Sequence, residues 1–160
     1  MEGDKKIIEY LNIQLKNEIT AINQYFLHSR IYKNCGLNNL GEYEYKESIE
    51  EMKHADTLIE RIFLLNSLPN LQNIHKLLIG KETNEILECD IKLEQISQKT
   101  CKEAIAYCES IHDYISRKIF EKILCDTEKH IDWIETQMKL IEKIGIQNYL
   151  QTTIIGNSIK

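Results

Sequence analysis

The sequence predicts an all-α protein: a four-helix bundle with a long crossover between the second and third helices and a short fifth C-terminal helix. Three observations predict it. Apolar residues recur three and four apart through most of the chain, the spacing of one helix face. A single proline and six glycines in 160 residues leave few breaks. Finally, Glu18, Glu51 and His54 return as Glu94, Thr127 and His130 under a constant shift of 76, as two copies of a helical hairpin facing a common centre would place them.

The first helix is capped by Asp4 and carries Ile7, Ile8, Leu11, Leu15, Ile19, Ile22, Phe26 and Ile31 on its apolar face. It should run to about Asn34 and stop at Gly36, since glycine commonly follows the last helical turn. The second begins near Asn38 or Asn39 and runs to about Asn66; its acidic early stretch, Glu42, Glu44, Glu47, Glu50 and Glu51, is either a solvated face or the lining of an ion path diluted by Lys46 and Lys53. From Leu65 to Lys81, with Pro69 and Gly80, no helical period is sustained. That exceeds the roughly 2–8 residues joining adjacent antiparallel helices, so a crossover along the bundle is expected. The third helix, about Glu82 to Ser110, has Ile86, Leu87, Leu93, Ile96, Cys101, Ile105 and Cys108 as its inner face. Asp113 caps a fourth, which carries Ile119, Ile123, His130, Ile134, Met138 and Ile141 and ends at Gly145; a fifth spans Ile146 to about Ile155.

The whole chain, 1–160, is expected to form one domain, a length that supports a core. Composition is 42% hydrophobic and 28% charged, as in globular proteins rather than disordered ones. No stretch approaches 18 apolar residues and the N-terminus is too polar for a signal peptide, so a cytoplasmic protein without a membrane partner is expected. A net charge of −5 argues against nucleic acid and for cations as cargo. The five cysteines, Cys35, Cys89, Cys101, Cys108 and Cys125, form no C-x-x-C pair and are expected to be free thiols.

Residues three apart on a helix share a face, so Glu51 and His54 can hold one ion. One Glu from each of two helices and Glu-x-x-His from the other two is the di-iron carboxylate pattern of ferritin-like bundles. Nitrogen and carboxylate donors suit Fe2+ and the harder Fe3+ formed by its oxidation. Thr127 breaks the pattern. Glu18, Glu51 and Glu94 leave one positive charge uncompensated if two Fe2+ bind, and the centre would then be slow, single-iron or silent. Asp126 could swing inward, though its side chain is short; Glu128 should point away. Tyr25, seven residues after Glu18, shares its side of the helix, either as an electron donor or hydrogen-bond partner to the centre or as an ordinary core aromatic. Trp133 is open in the same way. Met52, one residue past Glu51, should project from the bundle as an apolar interface residue. His28, His75 and His112 have no partner at metal spacing and are expected to be core or surface histidines.

The stretches Ala21-Ile22-Asn23-Gln24-Tyr25-Phe26-Leu27-His28, Glu51-Met52-Lys53-His54-Ala55-Asp56, His130-Ile131-Asp132-Trp133 and Gly145-Ile146-Gln147-Asn148-Tyr149-Leu150 resemble bacterioferritin, and the similarity runs through nearly the whole chain. The resemblance implies a hollow iron-storage shell of 24 subunits with haem b between subunit pairs, and a ferroxidase centre oxidising Fe2+ with oxygen or peroxide. It implies that Glu18 and His54 bind one iron, Glu94 and His130 the other, and that Glu51 bridges them, with Tyr25 beside them. It makes Met52 an axial haem ligand and places Asn148 and Gln151 at four-fold channels. A ferredoxin-type reductant for iron release is implied too. Because Thr127 stands where the family's second bridging glutamate belongs, an alternative is a haem-bearing structural subunit of a mixed shell, co-assembling with a catalytically intact subunit. A rubrerythrin-like peroxidase would need cysteine pairs this chain lacks, and mini-ferritins place their ligands between subunits rather than within one bundle.

Overall fold

The computed structural model describes residues 1–154. Its helices are α1 (Lys5–Asn34), α2 (Asn38–Leu64), α3 (Thr83–Ser110), α4 (Tyr114–Ile144) and α5 (Ile146–Ile154). No strand occurs among the described residues, so the all-α expectation holds. The expected end of the fifth helix, Ile155, lies just outside them. No described helix is long and apolar enough to cross a membrane.

The helix ends follow from local chemistry. The Asp4 carboxylate accepts the Lys6 and Ile7 amides at 2.9 and 3.1 Å, satisfying two donors of the first turn of α1. Gly36 takes φ 80° after α1, and the Leu37 amide turns back to the Tyr32 carbonyl at 2.9 Å, closing the helix as a glycine cap does. α2 stops at Leu64, two residues before the expected Asn66. Asn66 adopts φ 56°, a left-handed conformation that asparagine tolerates better than most residues and that ends the helix. Asp113 caps α4 through the Ser116 amide at 3.0 Å and also pairs with Arg61 of α2 at 2.9 Å.

The hairpins α1–α2 and α3–α4 pack through an apolar cluster near one end of the bundle, with Ile7, Leu11, Leu15, Leu58, Ile62, Cys101, Cys108 and Phe120. A second cluster at the other end joins Tyr32, Leu40 and Ile86 to Tyr149 of α5. Between them lies a buried polar band that includes Gln14, Glu18, Glu51, His54, Glu94 and His130. Two residues expected on inner faces are outside: Phe26 is 44% exposed and Ile96 is 41% exposed. Each sits one residue, about 100° of helix rotation, from the buried line, which passes through Tyr25 on α1 and Ser97 on α3. Apolar character misled there because polar side chains occupy the inner face. All five cysteines are free, with Cys101 and Cys108 buried.

The crossover, residues 65–82, runs along α1 without a helix of its own. Side chains of α1 receive its backbone amides: Asn12 from Asn70 (2.9 Å), Thr20 from His75 (2.9 Å), Gln24 from Leu78 (3.0 Å) and His28 from Gly80 (3.1 Å). Asn12, Thr20, Gln24 and His28 are four or eight apart and so share one face. They satisfy amides that a helix or sheet would otherwise pair.

Candidate metal centre

Each helix of the bundle brings carboxylate or imidazole to the polar band: Glu18 from α1, Glu51 and His54 from α2, Glu94 from α3, His130 from α4. All are at least 95% buried. They fall into two groups. His54 Nδ1 faces Glu18 Oε2 at 3.3 Å and Glu51 Oε2 at 3.7 Å. His130 Nδ1 faces Glu94 Oε1 at 2.9 Å and Glu47 Oε2 at 3.5 Å. Glu51 belongs to both: with Glu18 and His54 its ligand atoms lie within 4.8 Å of one another, and so do those of Glu47, Glu51 and His130.

Several partners hold these side chains. Gln14 Nε2 donates to Glu18 Oε1 at 2.7 Å, and the Tyr25 hydroxyl donates to Glu94 Oε1 at 2.5 Å. Tyr25 therefore touches the centre as a hydrogen-bond partner. His54 Nε2, on the far side of its ring, meets Asp126 Oδ2 at 2.8 Å, and Lys122 holds the same carboxylate at 2.7 Å. Asp126 thus orients the His54 imidazole from outside, as carboxylates commonly do for ligand histidines. Thr127 itself is buried.

So many buried acids cannot all ionise without a cation. Burial, then the Glu18 charge, pushes Glu51 up to about 8. Burial would lower both histidines, but Glu18 and Glu51 raise His54 to about 12, and Glu94 raises His130 to about 9. Burial and the Glu51 charge raise Glu94 as well. Glu94 Oε2 and His130 Nε2 are buried without a hydrogen-bond partner. A polar cleft of about 230 Å³, lined by Tyr43, Glu47, Glu50, Asp126 and Lys129, leads from the surface to Glu51 and His130.

The Ferritin-like domain family model matches residues 8–144. The chain is 44% identical over 151 residues to a bacterioferritin of Brucella melitensis, covering 94% of each protein. It is 44% identical over 149 residues to a bacterioferritin of Rhodobacter capsulatus, covering 93% of this chain and 92% of that one. It is 43% identical over 154 residues to a bacterioferritin of Streptomyces coelicolor, covering 96% and 92%. The chain belongs to the bacterioferritin family.

In this bacterioferritin chain Met52 leaves the bundle, 51% exposed on α2. Phe26 and Tyr45, also exposed, lie with ring centroids 6.4 Å apart, both under the Arg30 guanidinium. Trp133 stacks on Tyr43, centroids 3.5 Å apart at 12°, beside His130. Asn148 and Gln151 are exposed on α5.

Two features escaped the sequence reading. Glu47 lies in the acidic run that reads as a solvated face or an ion path; it precedes Glu51 by four and so shares its face, which is the signal the spacing offers. The second is the buried group His28, Glu44 and Asp90. His28 Nδ1 meets Asp90 Oδ1 at 2.8 Å while its Nε2 accepts the Gly80 amide, so the ring is neutral and has no lone pair for a metal. Burial and Asp90 raise Glu44, whose Oε2, like Asp90 Oδ2, is buried without a hydrogen-bond partner. Nothing in the sequence spacing links residues 28, 44 and 90, because they come from three helices.

Proposed function

We propose that this bacterioferritin chain stores and detoxifies iron as a subunit of a hollow shell of 24 copies, oxidising Fe2+ at the centre between its four long helices. The observation that carries this is the pair of imidazoles, each with Nδ1 turned into buried carboxylates and linked by Glu51. Fe2+ enters through the acidic cleft, displaces protons from Glu51, His54 and His130, and is held by Glu18 and His54 on one side and Glu94 and His130 on the other. Each Fe2+ gives one electron to oxygen or peroxide, and the carboxylate oxygens suit the harder Fe3+. Tyr25 holds Glu94 in place and is positioned to donate an electron. Fe3+ leaves for the cavity as mineral, and a ferredoxin-type reductant returns it as Fe2+. The setting is the cytoplasm.

Haem b fits the outer face. The exposed Met52 thioether is a soft donor that would hold the haem iron. Met52 and its copy in a second subunit would hold the iron, without covalent attachment since C-x-x-C-H is absent. When bound, the group supplies electron transfer.

Thr127 favours a second reading, a haem-bearing structural subunit in a mixed shell. Anaerobic Fe2+ loading of the purified homopolymer followed by an oxygen pulse separates the two. A fast absorbance rise saturating at about two Fe2+ per subunit is expected. A fast phase seen only in Thr127→Glu would establish the mixed-shell reading instead.

A further inference from the structure

We propose that Glu47 is the carboxylate ligand that compensates for threonine at position 127, and that Tyr43 positions it. The inference rests on the di-metal reading above. Loss of a glutamate at 127 deprives the His130 half of the centre of its second carboxylate. The structure places another one there from a different helix. Glu47 Oε2 lies 3.5 Å from His130 Nδ1, the nitrogen that also faces Glu94 at 2.9 Å. Glu47, Glu51 and His130 bring their ligand atoms within 4.8 Å of one another. Glu94 Oε2, buried and without a partner, belongs to the same half. Charge agrees with geometry: Glu18, Glu51, Glu94 and Glu47 together neutralise two divalent ions, which the first three do not.

Glu47 is held for this task. It sits four residues before Glu51, so α2 presents both on one face. Tyr43, four residues before Glu47 on the same face of α2, lines the same cleft, and its ring is fixed by its stack on Trp133, three residues beyond His130. α2 and α4 are thus tied together where the ligand is needed. Asp126, the nearer candidate in sequence, is engaged by His54 and Lys122.

The test is anaerobic Co2+ titration of the assembled protein, read by the visible absorption of bound cobalt, with thermal unfolding as a check on fold. The unmodified protein is expected to bind two Co2+ per subunit. Glu47→Gln should weaken the second by more than about 10-fold, beyond the lower end of outer-shell losses, while the first is unchanged. Tyr43→Phe, which keeps the stacked ring, should weaken the second by less. Adding Thr127→Glu to Glu47→Gln should restore it. Two unchanged Co2+ sites in Glu47→Gln would overturn the proposal, as would a second site that Thr127→Glu fails to restore. A single Co2+ in the unmodified protein, indifferent to Glu47→Gln, would overturn it while leaving the His54 half standing. Absence of any Co2+ would instead overturn the di-metal reading itself.

Discussion

Burial raises Glu51, and neighbouring carboxylates raise His54 and His130, which sets how these side chains answer to pH. Glu51 at about 8 and His130 at about 9 both lie above their ordinary values, so folding takes up protons there. The stabilisation from His130 is complete below about pH 6.5 and is lost as pH rises through about 9; that from Glu51 is lost between about 4.5 and 8. The metal-free protein should therefore melt at a lower temperature at pH 9 than at pH 7. Metal binding displaces those protons, so Co2+ should raise the melting temperature more at pH 9 than at pH 7. A metal-free melting temperature that rises over that interval would contradict this. The gathering of Glu18, Glu51, His54, Glu94 and His130 in one buried band was legible in the sequence because a repeated three-point spacing survives folding unchanged. Glu47 was not, because an acid beside other acids looks solvated until the neighbouring helix is in place.

Helix ends carry the next set of consequences. Asp113 caps α4 and pairs with Arg61, which is buried among Ser116 and Asp113. Burial would raise the Asp113 carboxyl, but the Ser116 hydroxyl and amide and Arg61 together hold it below its usual value. Its contribution is present above about pH 3.8 and disappears as pH falls through the lowered value. Asp113→Ala should lose the cap, about 1 kcal/mol, and leave Arg61 with a buried charge, for a total of about 2–4 kcal/mol in urea unfolding. Gly80 offers a second check. A Cβ there would lie 2.5 Å from the Ile86 backbone nitrogen, so Gly80→Ala must push the crossover off the start of α3. A loss of about 1–3 kcal/mol is expected from such overpacking. Helix number, order and most ends could be read from caps, glycines and apolar period. The inner faces of α1 and α3 were harder, since that reading assumes apolar side chains point inward, and near the centre polar ones do.

For the molecule as a whole, the exposed Met52 and the buried Glu51 and His54 face different sides of α2. Met52→Leu should remove the Soret band of the purified protein while leaving its Co2+ stoichiometry and assembled size unaltered; loss of assembly would show Met52 to be a packing residue first. The asymmetry between the two hairpins has another outcome. The side chains of α1 that take the crossover's amides have counterparts 76 residues on, yet there Asn12, Thr20, Gln24 and His28 become Glu88, Ile96, Thr100 and Ala104. A chain made of two like halves risks exchanging one half with a neighbouring copy. Here the connecting segment can recognise only the first hairpin. It works as a label of handedness in an otherwise duplicated architecture, and severing it would let two first hairpins close on each other around a doubled set of Glu18, Glu51 and His54.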